Sequence, residues 1–128
     1  MVYLWQLICS YGSLKVIHIT GIAMVFVGLT GILALKMAGG APLSKRLIFH
    51  VLHGVGLLLI IITGFALANW LGIKGAQPWL IGKFVIWLLA AASMVLANRF
   101  SRFAGPMVVF FIALVATAAY LAIYRPSF

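Results

Sequence analysis

The chain has 128 residues, of which 66% are hydrophobic and only 7% are charged. A soluble domain carries roughly 25% charged residues, so this composition excludes a water-soluble globular domain. The length suits one bundle of membrane helices and little more. Nine lysines and arginines face no aspartate or glutamate, which gives a formal charge of +9.

The absence of acidic side chains restricts the chemistry of the chain. No side-chain salt bridge can form within it, so, apart from the C-terminal carboxylate, the anions that pair with its cations must be lipid phosphates, an acidic ligand or an acidic partner protein. Hydrolases that need paired carboxylates are excluded. The basic residues are scattered between apolar spans, so we expect no nucleic-acid partner. Cys9 is the single cysteine, which excludes an intrachain disulfide.

The chain begins with an apolar, aromatic segment, residues 1–11. It lacks the basic start and the small-residue cleavage site of a signal peptide, and we interpret it as an interfacial segment anchored by Tyr3 and Trp5. The Gly12-Ser13 pair predicts a break after it, with Ser13 as the N-cap of the first membrane helix. In that helix Gly21 and Gly28 share a face and predict close approach of a neighbouring helix.

Three further apolar spans follow, separated by short loops. Ser44 is expected to cap the second, Pro78 fits the first turn of the third, and Gly105-Pro106 opens the fourth. Spans joined by short loops must alternate in direction. The sequence therefore predicts an all-α integral membrane protein, an up-and-down antiparallel bundle of four transmembrane helices. The four predicted spans are residues 14–37, 45–70, 78–98 and 106–124.

The basic residues indicate an orientation. Face A denotes the membrane face where the first helix begins, and face B the opposite one. Face B carries five basic residues and face A four, which favours a cytoplasmic location for loops 38–44 and 99–103. The basic residues of face B are Lys36, Lys45, Arg46, Arg99 and Arg102; those of face A are Lys15, Lys74, Lys83 and Arg125.

A candidate site lies near face A. His18 is placed roughly 6 Å below that face by helical rise, and Lys83 near the start of the third helix reaches a similar depth. Lys15 lies one turn above, and the end of the fourth helix brings Tyr120 and Tyr124 to this level. Without carboxylates, such a site is suited to an anion. The alternative is that the lysines extend to the headgroups while His18 donates to a backbone carbonyl.

The second helix places His50 and His53 near face B. Inward-facing histidines of helix bundles are recurrent haem ligands, so His18, His50 and His53 are candidate iron ligands. Because His18 and His53 lie roughly 15 Å apart along the membrane normal, they cannot flank one haem without a second copy of the chain. His50 and His53 cannot flank one haem either, because both project from the same side of one helix. Hydrogen bonding near the headgroups is the alternative for both. Three methionines are predicted at the same face: Met37, Met94 and Met107.

Three short segments resemble a group of small four-helix bacterial membrane proteins. This group includes the HemJ-type protoporphyrinogen oxidases, the copper-resistance D membrane domain and the SirB-like regulatory proteins. The matching segments are Leu14-Lys15-Val16-Ile17-His18, Lys45-Arg46 with Thr63-Gly64-Phe65-Ala66-Leu67, and Trp79-Leu80-Ile81-Gly82-Lys83 with Asn98-Arg99.

The HemJ-type resemblance implies a function. His18 and Lys83 match the functional histidine and lysine of that family, and the resemblance implies a b-type haem, a haem-linked membrane oxidoreductase and the bacterial cytoplasmic (inner) membrane. The expected cofactor-binding set is His18 and Lys83, together with His50 and His53, which the family pattern does not require but which are candidate iron ligands by their place in the bundle. The rival hypotheses are a non-catalytic accessory or scaffold subunit, in contact with anionic lipids, acidic partner chains or a second copy, and a SirB-like regulatory membrane protein.

Overall fold

The fold, seen in a computed structural model, is described for residues 10–75 and 77–125. These residues form four α-helices, each long and apolar enough to cross a membrane. This confirms the predicted all-α four-helix bundle and an integral membrane protein. The helices are α1 (Tyr11–Met37), α2 (Leu43–Trp70), α3 (Pro78–Arg99) and α4 (Ala104–Tyr124), with a 3-10 turn at Ser101–Phe103 before α4.

Contacts between the helices establish their alternating directions. The start of α3 meets the end of α4, where a Cβ on Gly82 would lie 3.0 Å from Leu121. The ends of α1 and α3 meet at face B, where the ammonium of Lys36 donates to the carbonyl of Asn98. That carbonyl belongs to the last turn of α3, whose unpaired acceptors favour a cation.

Helices α1 and α2 pack closely through glycines. A Cβ on Gly56 would lie 2.7 Å from the carbonyl oxygen of Gly21, and a Cβ on Gly28 would lie 2.6 Å from that of Phe49. As α1 advances from Gly21 to Gly28, its partner in α2 recedes from Gly56 to Phe49, so the two helices are antiparallel. The predicted close approach at Gly21 and Gly28 is therefore present. Such backbone contact supplies the van der Waals packing that joins helices in lipid.

The helix starts differ from the sequence predictions. Helix α1 begins at Tyr11, and its N-cap is Ser10, whose hydroxyl accepts from the backbone N–H of Ser13 at 3.2 Å. Gly12-Ser13 therefore lies within the first turn and breaks nothing. The prediction of Ser44 as a cap is also wrong, because α2 begins at Leu43 without a side-chain cap bond. Most of the proposed interfacial segment, residues 1–9, lies outside the described residues.

The closely packed core fills the face-B half of the bundle. It joins the second half of α1 to the end of α3 and the first half of α4, and Phe26 and Phe111 meet there with ring centroids 5.3 Å apart. The buried core residues are Val25, Leu29, Ile32, Leu33, Met94, Ala97, Ala104, Phe111 and Leu114. The face-A half is less completely filled, and the candidate site lies there.

Candidate functional site

A cavity of about 570 Å³ lies between the four helices in the face-A half of the bundle. This volume falls in the range of small-molecule sites, roughly 300–1,000 Å³. Its walls are mainly aliphatic and aromatic, with Trp79, Phe84 and Trp87 from α3 and Phe65 from α2. The Trp87 indole donates to the carbonyl of Leu57 at 2.9 Å, which fixes one wall against α2.

Four basic side chains enter this apolar cavity: Lys15, His18, Lys83 and Arg125. Lys83 is half-buried, and the charges of Lys15 and Arg125 lie within electrostatic range of it. Lys83 in turn lies within electrostatic range of His18. The sequence contains no acidic side chain to neutralise them. Like charges that share a low-dielectric site repel one another, so this arrangement favours a bound anion.

His18 is held by α2. Its Nδ1 lies 2.8 Å from the hydroxyl oxygen of Thr63, and its Cε1 lies beside Gly64, where an added Cβ would be 3.6 Å away. Thr63 is only 4% exposed, and its hydroxyl donates to the carbonyl of Leu59 one turn earlier. One edge of the imidazole is thus engaged with α2, and Nε2 is the ring nitrogen left for the cavity.

Two of the cations rest on aromatic rings at face A. The Lys15 ammonium lies 5.2 Å from the centre of the Tyr11 ring, and the Arg125 guanidinium lies 5.4 Å from that of Trp79. Such contacts contribute about 0.5–1 kcal/mol at exposed positions. They orient the two cations without neutralising them, so both retain their charge for a ligand.

The structure brings Lys15, His18 and Lys83 to one cavity, but it places the two tyrosines elsewhere. Tyr120 and Tyr124 are exposed, and they pack on each other with ring centroids 4.9 Å apart. Neither of these two tyrosines lines the cavity, so the prediction that one of them joins the site is wrong; the tyrosine that lines it is Tyr11. Arg125 lines the cavity instead, and it is itself the left-handed residue, with φ of 45°, that follows the last turn of α4. Its position just past the last apolar turn was the available sequence signal.

His53 has a different environment from His18. It is 4% exposed, and its Nε2 donates to the carbonyl of Ala90 in α3 at 3.2 Å. It packs against Gly28, ten residues along α1 from His18, or ~15 Å by helical rise. His50 is half-buried and, like His53, does not line the cavity. Of the methionines predicted beside them, Met94 is in the core while Met37 is 72% exposed.

The donor set of the cavity fits a haem in chemical terms. The Nε2 atom of His18 is of the type that ligates haem iron, and the cations match the two carboxylates of the porphyrin. The aromatic and aliphatic walls suit an apolar macrocycle. These are the residues that would hold such a group. His50 and His53 lie outside this set.

Comparisons with known proteins add no assignment. No protein-family model matches the chain, and neither curated proteins nor solved structures give a significant match. The functional hypothesis therefore rests on the residues and the geometry of the cavity.

Proposed function

We propose that this integral membrane protein binds an anionic amphiphile in the face-A cavity, and that the ligand is a porphyrin of the b-type haem class. The observation that carries the proposal is the convergence of Lys15, Lys83, Arg125 and His18 in an apolar cavity of a chain without acidic residues. Lys83 is a half-buried cation in apolar surroundings and needs an anionic partner, which the ligand supplies.

Each side chain has a role in this proposal. Lys83, the half-buried lysine of the cavity, pairs with one ligand carboxylate, and Lys15 and Arg125 pair with the second near the headgroups. His18 supplies Nε2 as the candidate iron ligand. Haem, when bound, supplies one-electron chemistry at its iron. The oxidoreductase activity that the family resemblance implies would depend on that chemistry, with His18 and Lys83 as its essential residues.

Titration of the detergent-purified protein with hemin, followed by visible absorption, tests the proposal. We expect a saturable shift of the Soret band for the wild type. Lys83→Gln removes one charge-assisted contact of about 1.5–3 kcal/mol, so its hemin affinity should be roughly 10–100-fold weaker. His18→Gln should remove the spectral signature of histidine ligation.

Lys74→Gln is the matched control, since Lys74 is an exposed basic residue of the α2–α3 loop that does not line the cavity. It should bind hemin as the wild type does. Equal weakening in the Lys83 and Lys74 variants would indicate nonspecific attraction to net charge and would overturn the proposal, as would an unchanged hemin spectrum in every variant.

The same anionic chemistry occurs in lipids, so the titration needs a second arm. It is repeated in micelles doped with phosphatidylglycerol, and separately with a long-chain fatty acid. A porphyrin site should keep its saturable hemin shift at these lipid concentrations. If the lipid displaces hemin in proportion to its concentration, and Lys83→Gln weakens that displacement, the cavity binds lipid and the porphyrin assignment is wrong.

A further inference from the structure

We propose that Thr63 is a positioning residue, which holds neutral His18 in the tautomer with its proton on Nδ1 and an unprotonated Nε2 at the cavity. The contact that supports this is the 2.8 Å distance between Nδ1 of His18 and Oγ1 of Thr63. The tautomer assignment does not depend on the identity of the ligand. Its consequence for iron ligation rests on the proposed function.

The direction of that hydrogen bond follows from the single hydrogen of a hydroxyl group. Oγ1 of Thr63 faces two backbone carbonyls of its own helix, that of Leu59 within hydrogen-bonding distance and that of Ile60 at 3.4 Å. Carbonyl oxygens only accept, so the hydroxyl hydrogen is directed to them. Toward His18, Thr63 then offers a lone pair. Nδ1 must be the donor, and a neutral imidazole has no second N–H.

The surroundings of the ring agree with this assignment. The Cε1 atom lies beside Gly64, a residue that lines the cavity, and Nε2 is the ring atom next to Cε1 on the side away from Thr63. The ammonium of Lys83, within electrostatic range of the ring, can only donate. An unprotonated Nε2 can accept a hydrogen bond from this ammonium, whereas an N–H at Nε2 could not.

This arrangement gives Nε2 two capacities that the opposite tautomer lacks. It can accept a hydrogen bond, and it can coordinate a metal ion without first losing a proton. In metal-binding histidines, a hydrogen bond from the ring nitrogen that does not bind the metal fixes the tautomer and the orientation of the ring. His53 has the reverse arrangement, since its Nε2 is the donor to Ala90.

Nitrogen NMR of the ligand-free protein, labelled with ring-¹⁵N histidine, reports the tautomer directly. The spectra are recorded in detergent, at a pH well above the ordinary histidine range. His18→Gln identifies the signals of His18 by their disappearance. We expect a protonated, pyrrole-type Nδ1 and an unprotonated, pyridine-type Nε2 in the wild type. Thr63→Val should average the two signals as both tautomers become populated, and Thr63→Ser should restore the wild-type pattern.

Thr30→Val is the matched control, because the Thr30 hydroxyl also bonds a carbonyl one turn earlier, that of Phe26 at 2.8 Å, away from the cavity. It should leave the His18 signals unchanged. In hemin titrations Thr63→Val should bind ~10-fold more weakly than Thr63→Ser, the loss typical when a ligating histidine loses the hydrogen bond that orients its ring.

Two results would overturn the inference: a wild-type His18 that carries its proton on Nε2, or a folded Thr63→Val protein with the wild-type His18 spectrum. The wild-type measurement decides the first point even if Thr63→Val does not fold. Failure of hemin to bind would reject the porphyrin proposal but leave the tautomer result intact, so the two hypotheses are separable.

Discussion

At the scale of single residues, two histidines of one chain have opposite uses. His53 is buried between helices, and its Nε2 donates a hydrogen bond to the carbonyl of Ala90, so it joins α2 to α3. His18 is anchored through Nδ1 and leaves Nε2 for a cavity that contains Lys83. The first contact stabilises the bundle, and the second prepares a ligand site.

This difference predicts separable effects of substitution. His53→Leu keeps a similar volume but removes one interhelical hydrogen bond, which should lower the free energy of unfolding by about 0.6–1.7 kcal/mol. The measurement is unfolding in mixed micelles of increasing dodecyl sulfate content, followed by circular dichroism. Hemin affinity should stay within twofold of the wild type. A folded His53→Leu protein that has lost hemin binding would contradict this assignment of roles.

Sequence spacing identified His18 and Lys83 as residues of equal depth, because depth follows from helical rise alone. It could not decide which residues at that depth face inward. Tyr120 and Tyr124 have the right depth but the wrong direction, and they face outward. Arg125 lines the cavity from just past the end of α4, where its sequence position places it at face A but does not reveal its left-handed backbone. Thr63 was missed since its role depends on contact with another helix.

At the scale of helices, α1 and α2 form the tightest unit of the molecule. Gly21 and Gly56 bring the two backbones together, and Gly28 does the same beside Phe49 and His53. In a bilayer the lipid tails are as apolar as the side chains, so no hydrophobic effect drives the helices together. Close packing of the two backbones therefore stabilises the contact between α1 and α2. His18 of α1 and Thr63 of α2 form their hydrogen bond across the same helix pair, so the geometry of the site depends on how closely these two helices pack.

Two glycines of α2 give a matched test of this contact. Gly56→Ala introduces a Cβ 2.7 Å from a backbone oxygen, and the helices must separate. We expect it to lower the free energy of unfolding by about 1–3 kcal/mol, the usual cost of overpacking. Gly54→Ala, two residues away, meets nothing within 4 Å and should be neutral or slightly stabilising. Equal unfolding curves for the two variants would show that the glycine contact does not hold the helices together.

The sequence predicted the helices well but not their faces. Hydropathy and length identify membrane spans because lipid demands internally satisfied backbones. The side chains that face lipid and those that face the core are both apolar, however, so the spans carry no polar stripe that marks the inner face. The glycines were the exception, because seven-residue spacing and small size identify a contact surface directly. The start of α1 was misplaced since a glycine tolerated in a first helical turn looks, in sequence, like a break.

At the scale of the whole molecule, packing is divided between the two halves of the bundle. The face-B half holds the buried core around Leu29, Ile32 and Ala97, while the cavity with its basic residues lies in the face-A half. Lys83 is half-buried in this cavity, and the sequence supplies no acidic side chain to neutralise it. We propose that an anion completes this site.

Comparison of protoporphyrin with its dimethyl ester tests this claim most directly. The two share one iron-free macrocycle, and methylation of both carboxylates in the ester removes the negative charges. In a fluorescence titration of the purified protein, we expect saturable binding of the free acid and at least ~10-fold weaker binding of the ester. In Lys83→Gln the difference in affinity between acid and ester should be much reduced. Equal affinity for the acid and the ester in the wild-type protein would contradict the proposal that an anion completes the site.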